Sequence, residues 1–224
     1  VVTVNYRINV FGFLAHPQIT RQQPKAPANF GSLDQQAGLK WVTRNIRAFG
    51  GDPDKITIAG QSAGGGSVLS QMACPGNVGL FHRAVIMSAM IRSPYQEEAV
   101  GIPKPLCEAE KNGTDFFEFL GVSSLEEARK LDAFYIRDKY AQYVQNFPRM
   151  ATVEDHCFCY GDPLKLFLEG KCADVPVMAG NTKDEFPSFL PAKSEKELED
   201  VARRLFGQRA EEFLQIPEAK RLDE

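Results

Sequence analysis

The stretch from Asp52 to Ser67, DPDKITIAGQSAGGGS, constrains the fold of this 224-residue chain more than any other. A short apolar strand is expected over Ile56 to Ala59, running directly into Gly60-Gln61-Ser62-Ala63-Gly64, and a helical pattern follows from Ala63 to Met72. A serine with glycines two residues to either side, placed where a strand turns into a helix, is the setting of a nucleophile elbow. The backbone there is strained so that the hydroxyl stands clear of the sheet, and such strain persists only among small neighbours. From 18 glycines and ten serines, chance would supply roughly 0.06 such patterns. The competing reading is a glycine-rich turn that only connects two elements.

An elbow needs a sheet beneath it, and much of the chain is patterned to provide one. Val1 to Asn5, VVTVN, is rich in β-branched residues and uncharged, as in a strand buried on both faces. Tyr6 to Phe30, broken by Gly12, Pro17, Pro24 and Pro27, reads as a long surface loop that contains His16. Ser32 and Gln35 form a capping-box pattern that opens a helix running to about Arg47. Within it Leu33, Ala37 and Trp41 make one apolar row and Leu39, Val42 and Ile46 another. Ala84 to Ser88 and Val175 to Gly180 are further buried strands. Alternating strands and helices imply the α/β class: a mainly parallel sheet with flanking helices and right-handed crossovers.

Between those strands the texture changes. From Ile91 to Met150 helical patterns dominate: Thr114 to Leu120, Leu125 to Leu131 opened by Ser124 with Glu127, and about Ala133 to Val144. Such an insertion is expected to form a lid over the active site, the alternative being a peripheral helical bundle. Asp162 and Pro163 start a short helix that Gly170 ends. Ser194 and Glu197 cap a last clear helix whose buried side carries Leu198, Val201, Ala202 and Leu205, and the tail from Glu211 to Glu224 has no strand pattern. A single domain over residues 1–224 accommodates all of this.

Composition narrows the partners. Apolar residues make up 43% and charged residues 25%, with a net charge of -3 and both signs interspersed. That excludes a basic nucleic-acid groove and a polybasic membrane patch, and leaves a small molecule or a protein. No apolar run approaches the ~20 residues that span a bilayer. The chain opens at Val1, already inside a strand pattern, so the true N-terminus is expected upstream. Five cysteines at irregular spacing read as free thiols, which points to a reducing, cytoplasmic setting, and Cys157 and Cys159 without a second pair nearby argue against a zinc site. In that setting the sequon Asn112-Gly113-Thr114 is expected to stay unmodified.

A serine hydroxyl needs a base to take its proton, usually a histidine oriented by a carboxylate. On an α/β-hydrolase sheet the acid follows the serine in sequence and the histidine follows the acid. Asp184 and Glu185, just past the strand that ends at Gly180, are both placed to be the acid. None of the three histidines fits the base. His16 precedes the serine, His156 precedes the acid, and His82 comes before strand 84–88, about 20 Å of strand away from Ser62.

VVTVNYRINVFGFLAHP, NFGSLDQQAGLKWVTRNIRAFGGDPDKITIAGQSAGGGS, LFHRAVIMSA and ADVPVMAGNTKDEF together resemble the type-B carboxylesterase and cholinesterase family. The resemblance is strong over residues 1–90 and about 150–190, and loose between them. It implies a partial α/β-hydrolase fold and a carboxylic-ester hydrolase working through an acyl-enzyme on small, fairly apolar esters, with no metal or organic cofactor. By the same resemblance Ser62 is the nucleophile, the Ala63 N–H one oxyanion donor, and Glu185 rather than Asp184 the acid. Ser88 matches a second serine supporting the triad, against the plain reading of a buried hydroxyl bonded to backbone. Gln61 stands where many relatives have Glu, and Ala89 where many have Gly.

The resemblance also places the family's glycine-rich oxyanion loop before Val1 and its histidine beyond Glu224. The chain then matches the central part of an esterase and is expected to be inactive alone. The rivals are a non-catalytic cholinesterase-like binding or adhesion protein, and a peptidase or thioesterase on the same sheet. Oligomeric state leaves no mark in the sequence.

Overall fold

The structure, a computed structural model, describes residues 1–89, 102–182, 185, 192 and 194–216. The sequence opens with two short helices, α1 (Asn9–Phe13) and α2 (Pro17–Gln22), followed by the long α3 (Phe30–Asn45). The elbow region is β1 (Thr57–Gln61), α4 (Ala63–Ala73) and β2 (Arg83–Met87). The insertion contributes β3 (Lys104–Pro105), α5 (Leu106–Leu120), α6 (Leu125–Ala128) and α7 (Ala133–Tyr143). The chain continues through β4 (Val153–Glu154), α8 (Pro163–Leu168), β5 (Val177–Gly180), α9 (Glu195–Phe206) and α10 (Ala210–Leu214).

The main sheet is three-stranded in the order β1-β2-β5, parallel throughout, with Gln61 beside Met87 and Met87 beside Gly180 at its C-terminal edge. Each crossover carries helices, as parallel pairing requires. Leu39 of α3, Val68, Leu69 and Met72 of α4, Ala84 and Ile86 of β2 and Leu164 of α8 form one buried cluster against this sheet. A second cluster joins Val10 and Ile19 of α1 and α2 to Phe116, Phe117, Leu120, Leu125, Tyr140 and Tyr143 of the insertion. The insertion therefore shares its core with the opening helices. Tyr143 is fully buried there, and burial, reinforced by Asp115, pushes its phenol up to about 12.

Three expectations are corrected. Residues 1–5 belong to no strand, and Val1, Val2 and Val4 are exposed. β-branched residues favour an extended backbone, yet a strand exists only when a neighbour completes its ladder, and among the described residues none does. Val4 instead lies against α3, where a Cβ added to Gly38 would sit 2.9 Å from its Cγ1.

Residues 6–30 are not one long loop but carry two short helices, α1 and α2, and the start of α3. Pro17 occupies the first turn of α2, where its missing N–H costs nothing, and His16 caps that helix. Gly12 is part of α1: a Cβ on it, or on Gly31 of α3, would come 2.3 Å from the Arg7 carbonyl oxygen, so these glycines mark a close crossing and not a break. The Arg7 guanidinium holds Asp34 of α3 through two bonds of 2.7 Å and keeps that carboxyl below its ordinary range.

The capping box at Ser32 is absent because α3 starts earlier. Asn29 precedes it in left-handed conformation (φ 59°), makes no cap bond, and spends its amide on Val153 and Asp155 instead. The remaining caps stand: Ser124 accepts from Glu127 N–H, Asp162 from Leu164 N–H and Ser194 from Glu197 N–H. The stretch 90–101 of the insertion and residues 217–224 of the tail lie outside the described residues.

Candidate active site

The elbow is built as its spacing predicts. Ser62 closes β1 at φ 54°, ψ -121°, a conformation costly for any side chain, and α4 begins at the next residue. Its N–H donates to the Met87 carbonyl at 2.9 Å and its carbonyl accepts from Gly66 N–H at 3.0 Å, so both backbone groups are fixed while the residue stays exposed. Ala63 opens α4, and a first-turn amide has no intrahelical carbonyl to reach. The positive end of the helix lies at the same place.

The glycines divide the work differently from the motif. A Cβ on Gly60 would be 2.2 Å from the Gly64 carbonyl oxygen, so the turn closes only over a bare Cα. Gly64 has open space around it, whereas a Cβ on Gly65 would meet Ala89 Cβ at 2.5 Å and the Met87 carbonyl at 3.1 Å. Gly65 is thus the second glycine the packing needs, hidden in the sequence by the run of three.

A ladder of side-chain amides fixes α4 against α3. Gln35 donates to Ser67 Oγ at 3.0 Å, Gln71 to Gln35 Oε1 at 3.1 Å and to the Ser32 carbonyl at 2.9 Å, and Asn77 to Gln71 Oε1 at 2.7 Å. Gln71 and Asn77 are buried and fully occupied. Sequence reasoning missed this ladder, because amide partners on separate helices leave no local pattern.

At the same edge of the sheet Ser88 follows β2, also at positive φ (51°), and its N–H donates to the Gly180 carbonyl at 2.8 Å. Its hydroxyl is bonded to the Glu185 carboxylate, which also accepts from Thr182 N–H at 2.8 Å and bonds the Thr182 hydroxyl. These bonds, that from Ser88 foremost, hold the Glu185 carboxyl below its ordinary range and keep it ionised. Ser88 is therefore joined to the candidate acid. The other candidate acid, Asp184, lies outside the described residues.

All three histidines are engaged elsewhere. His16 is buried, accepts from Gln18 N–H through Nδ1 at 3.1 Å and stacks on Phe117 with ring centres 4.2 Å apart. His82 Nδ1 accepts from Ile56 N–H at 3.2 Å, at the end of the sheet opposite the elbow. His156 is exposed, 3.7 Å from Glu154. Among the described residues no cluster of His, Cys, Asp and Glu is arranged to hold a metal ion, and no helix is long and apolar enough to cross a membrane. All five cysteines are free, and burial pushes the Cys159 and Cys172 thiols up to about 11.

A strained serine between a parallel strand and a helix, with a carboxylate held at the same sheet edge, agrees with what the comparisons return. The model of the carboxylesterase family matches residues 1–219. The chain belongs to the carboxylesterase family. It is 36% identical to a cholinesterase of Mus musculus over 202 residues, covering 85% of this chain and 32% of that protein. It is 33% identical to the para-nitrobenzyl esterase of Bacillus subtilis (strain 168) over 199 residues, with 87% and 39% covered. Among solved structures a thermophilic PNB esterase superposes with a TM-score of 0.71 at 28% identity, over 94% of this chain and 44% of the other. The chain thus has the α/β-hydrolase fold, and it spans about a third to two-fifths of the length of these curated relatives.

Proposed function

We propose that this carboxylesterase-family chain is the nucleophile-bearing part of a serine carboxylic-ester hydrolase that works through an acyl-enzyme. Ser62 attacks the ester carbonyl, the tetrahedral oxyanion is met by the Ala63 N–H at the start of α4, and Glu185, steadied by Ser88, orients the histidine that shuttles the proton. Water then releases the acid and restores the serine. The observation that carries this reading is the Ser62 backbone, held at φ 54° by its bond to Met87 and by glycines that no larger residue could replace. The substrate is a small, fairly apolar ester, and no metal or organic cofactor takes part.

In this reading the histidine and the remaining oxyanion donors come from the parts of a longer protein that flank these residues. The test is labelling of the full-length protein by a fluorophosphonate probe, which bonds covalently to an activated serine. Labelling at Ser62, lost in Ser62→Ala, is the expected result, and an unlabelled, folded full-length protein would sink the proposal. A second reading, a non-catalytic binding protein on the same fold, draws on one observation: His16, His82 and His156 are all engaged away from the elbow. The same experiment separates the two.

A further inference from the structure

Where the insertion meets the opening helices, α2, α5 and the turn before α6 enclose an open cleft of about 380 Å³. That lies near the small end of the roughly 300 to 1,000 Å³ that ligand sites span. Pro17, Phe117 and Val122 give it an apolar wall. Several of its polar side chains are already spent: Gln18 on the Ser123 carbonyl and the Leu125 N–H, Thr114 on the Glu110 carbonyl, Ser123 on Glu127. Three groups are not. Among the described residues His16 Nε2, the Arg21 guanidinium and the Glu118 carboxylate, all on the lining, have no partner.

His16 is 5% exposed, and its ring is fixed twice, by the Gln18 N–H on Nδ1 at 3.1 Å and by the stack on Phe117. With Nδ1 accepting, the neutral ring carries its proton on Nε2. A donor held in the interior is costly to leave unmatched, and Nε2 is not sealed off, so an acceptor reaches it from the cleft. The Arg21 guanidinium adds a permanent positive charge and a planar fork of donors to the same cleft.

We propose that this cleft binds a small monocarboxylate with a compact apolar body. Its oxygens accept from His16 Nε2–H and the Arg21 guanidinium, and its body lies against Phe117 and Val122. Glu118 opposes the negative charge and limits the affinity. Ester hydrolysis releases molecules of this class, yet the site stands on its own residues and not on Ser62.

Phenylacetate is the probe, titrated calorimetrically into the full-length protein at about pH 7.5, where the ring is neutral. Saturable binding is expected, in the millimolar range that so small a ligand allows. Phenylacetamide, of the same shape without the charge, should bind at least about tenfold more weakly. Arg21 is exposed, so Arg21→Gln leaves the core untouched and should weaken phenylacetate at least about fivefold. His16→Asn keeps a cap for α2 but loses the Nε2 donor, and should weaken it by a similar factor. Glu118→Gln should tighten binding about two- to fivefold. The proposal is overturned if phenylacetate does not saturate, if phenylacetamide binds as well, or if either Arg21→Gln or His16→Asn binds like the parent, the result that a carboxylate held at the elbow would give. A Glu118→Gln variant that binds no more tightly than the parent overturns the placement of the carboxylate.

Discussion

At the residue scale, a sequence motif names positions but the packing decides which of them matter. G-x-S-x-G treats Gly60 and Gly64 alike, yet only Gly60 faces a backbone atom that a Cβ would strike, at 2.2 Å. Gly60→Ala should therefore destabilise the protein by about 2 kcal/mol or more, through displaced backbone at the elbow. Gly64→Ala sits in the first turn of α4 with open space around it, and should be neutral or stabilising by up to ~1 kcal/mol from helix propensity alone. Paired urea unfolding curves read the difference, and equal costs at the two sites would refute the assignment. His156 makes the converse case: it is exposed in left-handed conformation (φ 52°), so His156→Gly should stabilise by roughly 0.5 to 1 kcal/mol, measured in the same way.

At the element scale, most of what was legible in the sequence was local and most of what was missed was not. β1, α4, β2, β5 and α9 follow from apolar runs and caps within their own residues. VVTVN forms no strand, because pairing belongs to a neighbour and not to the segment. Pro17 and Gly12 read as breakers, but Pro17 sits in the first turn of α2 behind its His16 cap and Gly12 lies within α1 where the Arg7 carbonyl passes too close for a Cβ. The candidate site divided in the same way: Ser62 followed from its strand end, the strand end at Gly180 left both Asp184 and Glu185 open until the resemblance chose Glu185, and the contacts of Thr182 and the amide ladder left no local pattern.

His16 ties one such element to the pH. Its neutral Nδ1 caps α2, and its pKa is lowered first by burial and then by Arg21, against a smaller pull from Glu110. A histidine with a depressed native pKa binds fewer protons folded than unfolded. Its contribution is whole above the unfolded value of about 6.5 and is lost as the pH falls below it toward the native value. The Gln18 side chain stitches α2 to the insertion through the Ser123 carbonyl and Leu125 N–H, so the loosened interface is that between α2 and α5–α6. His16→Asn keeps a capping acceptor without the titration. Between about pH 7 and about pH 5 its urea midpoint should fall less than that of the parent, and parallel profiles would remove His16 as the cause.

At the scale of the whole molecule, the sheet edges and the proposed site bear on the same question of what flanks these residues in a longer protein. β1 and β5 each present an outer edge that no described residue pairs, and Val1, Val2 and Val4 are exposed, Val4 against α3. Unpaired edges and bare apolar residues are costly in isolation, so the 224-residue chain should associate more readily than a longer form carrying its flanking sequence. Catalysis should be impaired for a parallel reason. In the proposed mechanism the elbow gives the nucleophile and one oxyanion donor, and His16, His82 and His156 each have partners other than Ser62.

Loss of a single oxyanion donor costs ~10² to 10³ in rate, and loss of the base of a serine triad about 10⁶. These losses do not add independently, but together they remove most of a serine hydrolase's advantage over background. Purified 224-residue chain should therefore hydrolyse p-nitrophenyl acetate no faster than Ser62→Ala at equal concentration, while the full-length protein does so with a Ser62-dependent burst. Ser62-dependent turnover by the short chain would mean that one of its own histidines reaches the elbow, and His16→Asn, His82→Asn and His156→Asn would then identify which.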